Sequence, residues 1–307
     1  MVISRKNAED ILEQFLEKKG ASDRFFGVKK YVTGLLKHHL LQIEDDNELE
    51  FHHQLIQEYY AAMRLKWMVS ELTDEELQRD YLNLFEWTEA IALMLGLLED
   101  EEQVVRVVRL ALEVDWQLGA RLAGEVKREF QEKTVALVSN LYIPLNTKTS
   151  LLGKTCSEEA ISELCIALKS EYSWIRQSAV VALGKIRSKL IVPVLISALN
   201  DEDFLVCHHA VVALAQILNE EVISALLNQL KKDQNNQHNE LLSETICRVL
   251  KDVQSEQIQE AIRKEPQRHR SRNPPRSHPN QFYRQKSPPQ CSQTRRTRNP
   301  KYLDFRL

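Results

Sequence analysis

Glycine is scarce in this chain, eight residues in 307, which disfavours an architecture built from short strands and tight turns and favours helices. Long apolar runs are missing as well. The longest, Ala90 to Leu98, falls far short of the ~20 residues that a membrane-spanning helix needs. Arg5, Lys6, Glu9 and Asp10 interrupt the N-terminus, so no secretory leader is expected there. The five cysteines form no CxxC pair; an odd count without metal spacing points to reduced thiols in a cytoplasmic protein. Proline is nearly absent from the first 264 residues and frequent after them: seven of nine lie beyond Lys264.

The small net charge of −3 hides a split. Residues 263–307 hold 13 Lys/Arg against Glu265 and Asp304, a balance of +11; the remainder holds 28 basic and 42 acidic residues, a balance of −14. A segment rich in Arg, Pro, Gln and Ser with few aliphatics cannot bury enough surface to offset its ordering entropy, so 263–307 reads as a disordered basic tail. Its arginines, interleaved with Phe282, Tyr283 and Tyr302, make nucleic acid a possible partner there through phosphate neutralisation and base stacking.

What the chain does have is a repeat. Residues 161–186 and 192–217 superimpose at a shift of 31: Leu164 on Leu195, Ala167-Leu168 on Ala198-Leu199, Ala179 on Ala210, Ala182-Leu183 on Ala213-Leu214, Ile186 on Ile217. A unit of this size cannot bury its apolar stripe alone, so a fixed period implies a stacked α-solenoid. A third, degraded copy keeps Ile223, Leu226 and Leu230, then realigns through Leu242, Ile246, Val249-Leu250 and Val253 after a polar insertion in Lys231 to His238.

Ahead of the repeats, two stretches with helical spacing (Ala8, Ile11, Leu12, Phe15, Leu16; Val28, Tyr31, Val32, Leu35, Leu36) precede Leu40 to Ile43, an acidic turn and Leu49 to Phe51. That order, helix, helix, β-hairpin, is a winged-helix-like layout. Thr73 with Glu76 three positions on forms a capping-box pattern. Stripes at Trp87, Ile91, Met94, Leu95 and at Val104, Val107, Val108, Leu112 follow. The expected organisation is therefore an all-α chain: 1–62 winged-helix-like, 63–140 helical, 141–156 a linker marked by Pro144 and by Thr and Ser, 157–262 repeats, and 263–307 the tail.

The repeat text, with its Leu199-Asn200-Asp201 turn and its Ala-x-x-Ala-Leu-Gly ending at Gly184, resembles HEAT repeats of the short phycobilisome-lyase-like type. Arg176 matches the arginine that such repeats ladder against turn carboxylates; Cys207 takes its place in the next copy. Phe51-His52-His53-Gln54-Leu55-Ile56-Gln57-Glu58-Tyr59-Tyr60-Ala61-Ala62 is similar to the signature closing the winged helix of NACHT-type signalling NTPases, and residues 82–138 are similar to the helical region that follows it in bacterial members carrying HEAT repeats. In that family the counterpart of His53 contacts the nucleotide phosphate. A NACHT ATPase also needs a G-x-x-x-x-G-K-[ST] loop ahead of the signature. Here the sole GKT, Gly153-Lys154-Thr155, follows the signature, and Lys148 stands at the first glycine's position.

These features lead to the expectation of a non-enzymatic interaction module that captures a protein partner on the inner repeat face, with Arg176, Gln177, Lys185, His208 and Gln216 as candidate contacts. No cofactor or metal is expected, since adjacent histidines on a helix point about 100° apart and do not converge on one ion, and no membrane is expected as a partner. A bilin lyase-type HEAT protein and a tail-driven nucleic-acid binder are the alternatives. Trp67, Trp87, Trp116 and Trp174 are expected in the core or the groove.

Overall fold

A computed structural model describes residues 2–18, 24–44, 48–233 and 240–251; the basic tail and Val253 lie outside the described residues. The chain opens with β1 (Val2–Ser4), α1 (Arg5–Lys18), α2 (Arg24–Lys37), β2 (Leu41–Glu44) and β3 (Glu48–Phe51). The hairpin expected from Leu40 to Phe51 is present, with Ile43 opposite Leu49. One strand was not foreseen: β1 pairs antiparallel with β3, Ile3 opposite Leu49, giving the order β1-β3-β2. Leu16, Val28, Val32 and Leu49 form a small core of their own between helices and sheet.

From α3 (Gln54–Met68) onward the described chain is helical. The helices are α4 (Asp74–Leu77), continued by a π-helical turn over Gln78–Leu82, α5 (Thr88–Leu97), α6 (Glu101–Val114), α7 (Trp116–Glu125), α8 (Arg128–Ser139), α9 (Leu145–Thr155), α10 (Ile161–Ala167), α11 (Ser173–Ile186), α12 (Val192–Ala198), α13 (Phe204–Ala215), α14 (Glu220–Asp233) and α15 (Glu240–Leu250). They alternate between two layers. The second helices stack in sequence, α5, α7, α9, α11, α13 and α15, each touching the next, and α3 packs on α5 ahead of them. On the other side the π-turn touches α6, α6 touches α8, and α12 touches α14. One continuous core runs between the layers, through Leu65, Leu95, Val108, Leu122, Leu183 and Leu250. This is an all-α solenoid of six successive hairpins among the described residues, beginning at α4 and not at residue 157.

The stretch 141–156 is therefore not a linker. α9 is a full member of the second layer, packed between α7 and α11, with Leu151, Leu152 and Gly153 buried. Its loop-like composition is accommodated locally. Thr149 Oγ1 donates to the Leu145 carbonyl at 2.7 Å and Thr155 Oγ1 to that of Leu152 at 2.7 Å, so both hydroxyls are satisfied by their own helix and are buried without cost to a distant partner.

Two local devices repeat. Cys156 and Arg187, 31 positions apart, end α9 and α11 in the left-handed conformation with φ of 50° and 54°. Each is followed by a serine that caps the next segment, Ser157 accepting from the Glu159 amide and Ser188 from that of Leu190. At the other end of the hairpins, aspartates start second helices. Asp115 alone separates α6 from α7, and its carboxylate accepts from the Gln117 and Leu118 amides at 2.7 and 2.8 Å; Asp203 does the same for α13. Asp115→Ala removes that cap and is expected to lower the free energy of unfolding by about 1 kcal/mol, measurable by urea titration. The Thr73–Glu76 capping box at α4 is complete, each side chain accepting from the other's backbone amide.

Candidate protein-binding face

The second helices bury one side in the core and turn the other outward, and residues four apart share that outward side. On α11 they are Gln177, Val181 and Lys185; on α13, His208 and Val212, with Gln216 at its cap; all are exposed or half-exposed, between fully buried neighbours such as Val180, Leu183, Val211 and Leu214. Four of the five candidate contacts thus lie together on two adjacent, stacked helices. Arg187, just beyond α11, donates from Nε to Gln216 Oε1 at 3.2 Å and ties the two helices together.

Arg176 does not belong with them. It is 7% exposed, and its guanidinium points along the stack into the next turn. Nε and Nη2 meet the two Asp201 oxygens at 2.8 Å each, Nη1 donates to the Ser170 and Glu171 carbonyls, and Nη2 also reaches Glu202 at 3.0 Å. With every donor directed at this chain, Arg176 is a joint between hairpins and offers a partner nothing. Burial opposes the charge on Asp201, but the bonds from Arg176, the Asp203 amide and the Arg176 charge outweigh it and hold the carboxyl below its ordinary value. In the next copy Cys207 occupies the arginine's place and its thiol lies 3.1 Å from the Asp201 carbonyl.

Two-helix units recur at a period of 31, and one arginine–aspartate bridge, Arg176 to Asp201, joins the first of them to the next. Residues 161–242 match HEAT repeats. The HEAT match covers α10 through the start of α15, while the same two-layer geometry continues back to α4. No curated protein matches the chain.

The face extends beyond the HEAT-matched hairpins through residues that sequence reasoning passed over. On α9, Ser150 is exposed and Lys154 donates to Gln117 of α7 at 3.0 Å. On α7, Arg121 forms a two-pronged bridge to Glu89 of α5 at 2.8 and 2.7 Å; the bond from Arg121 lowers the Glu89 carboxyl, and the Arg121 guanidinium is raised in turn. One signal marks these helices as members of the series. Gly96, Gly124, Gly153, Gly184 and Ala215 recur every 28 to 31 positions, each after a Leu or Ala. A Cβ on Gly153 lies 2.7 Å from that of Ala182, and one on Gly184 lies 2.9 Å from that of Ala213. The repeat thus requires a small residue where neighbouring second helices approach most closely. The GKT sequence is this contact followed by an outward lysine.

The remaining candidates are placed as follows. His53 is exposed at the start of α3, with its ring 4.4 Å from that of His52, and His52 Nδ1 pairs with Gln42 Oε1 at 2.7 Å. His208 and His209 sit with rings 5.6 Å apart; burial, then the charge of His208, lowers the His209 pKa. Among the described residues no group of three His, Cys, Asp or Glu side chains is arranged to hold a metal ion, and no helix is long and apolar enough to cross a membrane. Trp87 packs edge-on against Tyr81, but Trp67, Trp116 and Trp174 are 64%, 48% and 51% exposed, contrary to a core placement. Trp174 opens α11 beside Tyr172, at the rim of the outward face.

Proposed function

We propose that this chain is a non-enzymatic scaffold that holds a protein partner against the outward face of the second helices. HEAT repeats commonly serve in protein contact, and one observation supports that use here. Val181 and Val212, at the same position of consecutive repeats, are 39% and 41% exposed in the middle of a face whose flanking positions are Gln177, Lys185, His208 and Gln216. Apolar side chains in matching places on adjacent helices favour contact with a complementary surface. The shifted carboxyls at Asp74, Asp80, Glu89 and Asp201 each owe their shift to a bond from an arginine of this chain, as structural joints do.

The finer reading is descent from NACHT signalling proteins that carry HEAT repeats. Its support is the helix–helix–hairpin order of residues 1–62 and the placing of the signature across β3 and the start of α3, with His53 at the helix start. On this reading His53 is a vestige of nucleotide sensing, and the chain signals by binding and not by hydrolysis.

A photo-crosslinking amino acid at position 181 or 212 is expected to give a discrete adduct in the cells that make this protein. The same group at Ile166, 61% exposed on α10 of the other layer, is the control and is expected to give none. Equal labelling from all three positions, or nucleotide hydrolysis by the purified chain, overturns the scaffold reading.

A further inference from the structure

Three consecutive second helices carry no carboxylate at all. α9, α11 and α13 contain Lys148, Lys154, Lys185, His208 and His209 besides the buried Arg176, and not one Asp or Glu, although acids make up 44 of the 307 residues and outnumber bases by 14 outside the tail. The acids of this region lie instead on the first-layer side and at the turns, at Glu158, Glu159, Glu163 and Glu202. Lys154 and Lys185 thus set positive charge on the outward side of the second helices in an otherwise acidic body. Lys154 and Lys185 follow the ladder glycines of α9 and α11, so they occupy the same place on adjacent helices, with Arg187 two residues past Lys185. Lys185 makes no ion pair among the described residues. Val181 lies one helical turn before Lys185, and Val212 one turn before Gln216 on the next helix.

We propose that this face binds an extended acidic peptide segment of a partner protein, with carboxylates on Lys154 and Lys185 and small apolar side chains against Val181 and Val212. The proposal rests on the scaffold reading and adds the chemistry of the partner. Packed helices lie about 8–10 Å apart, and a chain in the polyproline II conformation advances about 3.1 Å per residue and returns to the same side every third one, so successive lysines are matched by carboxylates roughly three residues apart. Gln177 and Gln216 flank the valines with amides able to pair with peptide groups of such a chain. A nucleic acid fits less well. Phosphate binding draws on a dense run of cations, whereas the outward lysines here are two, Lys154 on α9 and Lys185 on α11, and α13 leads to Gln216 at the matching position.

The test uses the full chain and a fluorescein-labelled peptide with Glu at every third position and Val and Ser between, read by fluorescence anisotropy. Binding that weakens with salt is expected, and Lys154→Glu with Lys185→Glu is expected to weaken it by about tenfold or more. The double variant keeps the basic tail, so affinity that survives it within about twofold places the peptide on the tail and overturns the proposal. A peptide with Lys in place of Glu is expected to bind the double variant better than the natural chain. Unchanged thermal unfolding by circular dichroism shows that the variant is folded; should it not be, Lys154→Ala with Lys185→Ala is expected to give a smaller loss in the same direction. A single-stranded oligonucleotide that binds through these two lysines while the peptide does not would assign the face to nucleic acid and overturn the proposal. Crosslinks at positions 181 and 212 in cells, with no binding of the acidic peptide, leave the scaffold reading standing and reject the acidic partner alone.

Discussion

Gly124→Ala should be the most damaging small substitution in the solenoid, costing about 3–4 kcal/mol and lowering the melting temperature by roughly 10 °C. A Cβ on Gly124 lies 1.7 Å from the Thr155 carbonyl oxygen and 2.6 Å from its carbon. Those are backbone atoms at the end of α9, so no side-chain rotation relieves the clash and α7 must separate from α9. Gly153→Ala meets Ala182 at 2.7 Å and is expected to cost about 2 kcal/mol, since part of the contact is a methyl group. Gly96 supplies the control. It holds the same place in α5, but its nearest neighbour is 3.7 Å away, so Gly96→Ala should be neutral or stabilise by up to about 1 kcal/mol through helix propensity. Thermal and urea unfolding of the three variants measure this directly. Equal effects at 96 and 124 would show that α7 and α9 do not meet as described.

Arg176→Ala should follow at about 3 kcal/mol. Its side chain is 8% exposed and that of Asp201 14%, and truncation leaves the carboxylate without its bidentate partner and the Ser170 and Glu171 carbonyls without theirs. Breaking one side of a buried pair costs more than the pair contributes, because the surviving charge stays desolvated. The double variant Arg176→Met with Asp201→Asn should therefore be less destabilised than the sum of its parts, and a double-mutant cycle reads that difference. The pH dependence has a definite sign. Asp201 is held below its ordinary pKa in the folded chain, so its stabilisation is full above about pH 4, where the unfolded carboxyl is also ionised. It is lost as the pH falls through the lowered folded value. The gap in stability between the natural chain and Arg176→Ala should accordingly hold from neutral pH to about pH 4 and narrow below it.

Much of the solenoid was legible because its information is local. The 31-residue shift aligned Ala179 with Ala210 and Leu183 with Leu214, and those residues are buried in both copies. The Arg176 ladder followed from the resemblance, although its burial withdrew Arg176 from the set of exposed contacts. α9 was misjudged because Pro144, Thr147, Thr149 and Ser150 have the composition of a loop; the helix holds since Thr149 and Thr155 bond within it and Leu151, Leu152 and Gly153 face the core. The extent of the stack was missed for a related reason. In the first three hairpins the ladder position recurs at 28 and 29 in place of 31, too irregular for alignment on one spacing, and the conserved feature is a single small residue. β1 is three residues long, with no periodicity to read.

Amphipathic spacing, caps and the repeat itself were determined by the sequence alone, since each depends on residues within about one helical turn or on a copy at fixed distance. That α4 to α15 form one stack, that Arg176 turns inward while Lys154 and Lys185 align on the outward side, and that Trp67, Trp116 and Trp174 remain exposed, were decided only by the tertiary structure. Those outcomes depend on which helix faces which, and that is settled where two backbones come close enough to demand glycine, a contact between residues some 30 positions apart that no local pattern encodes.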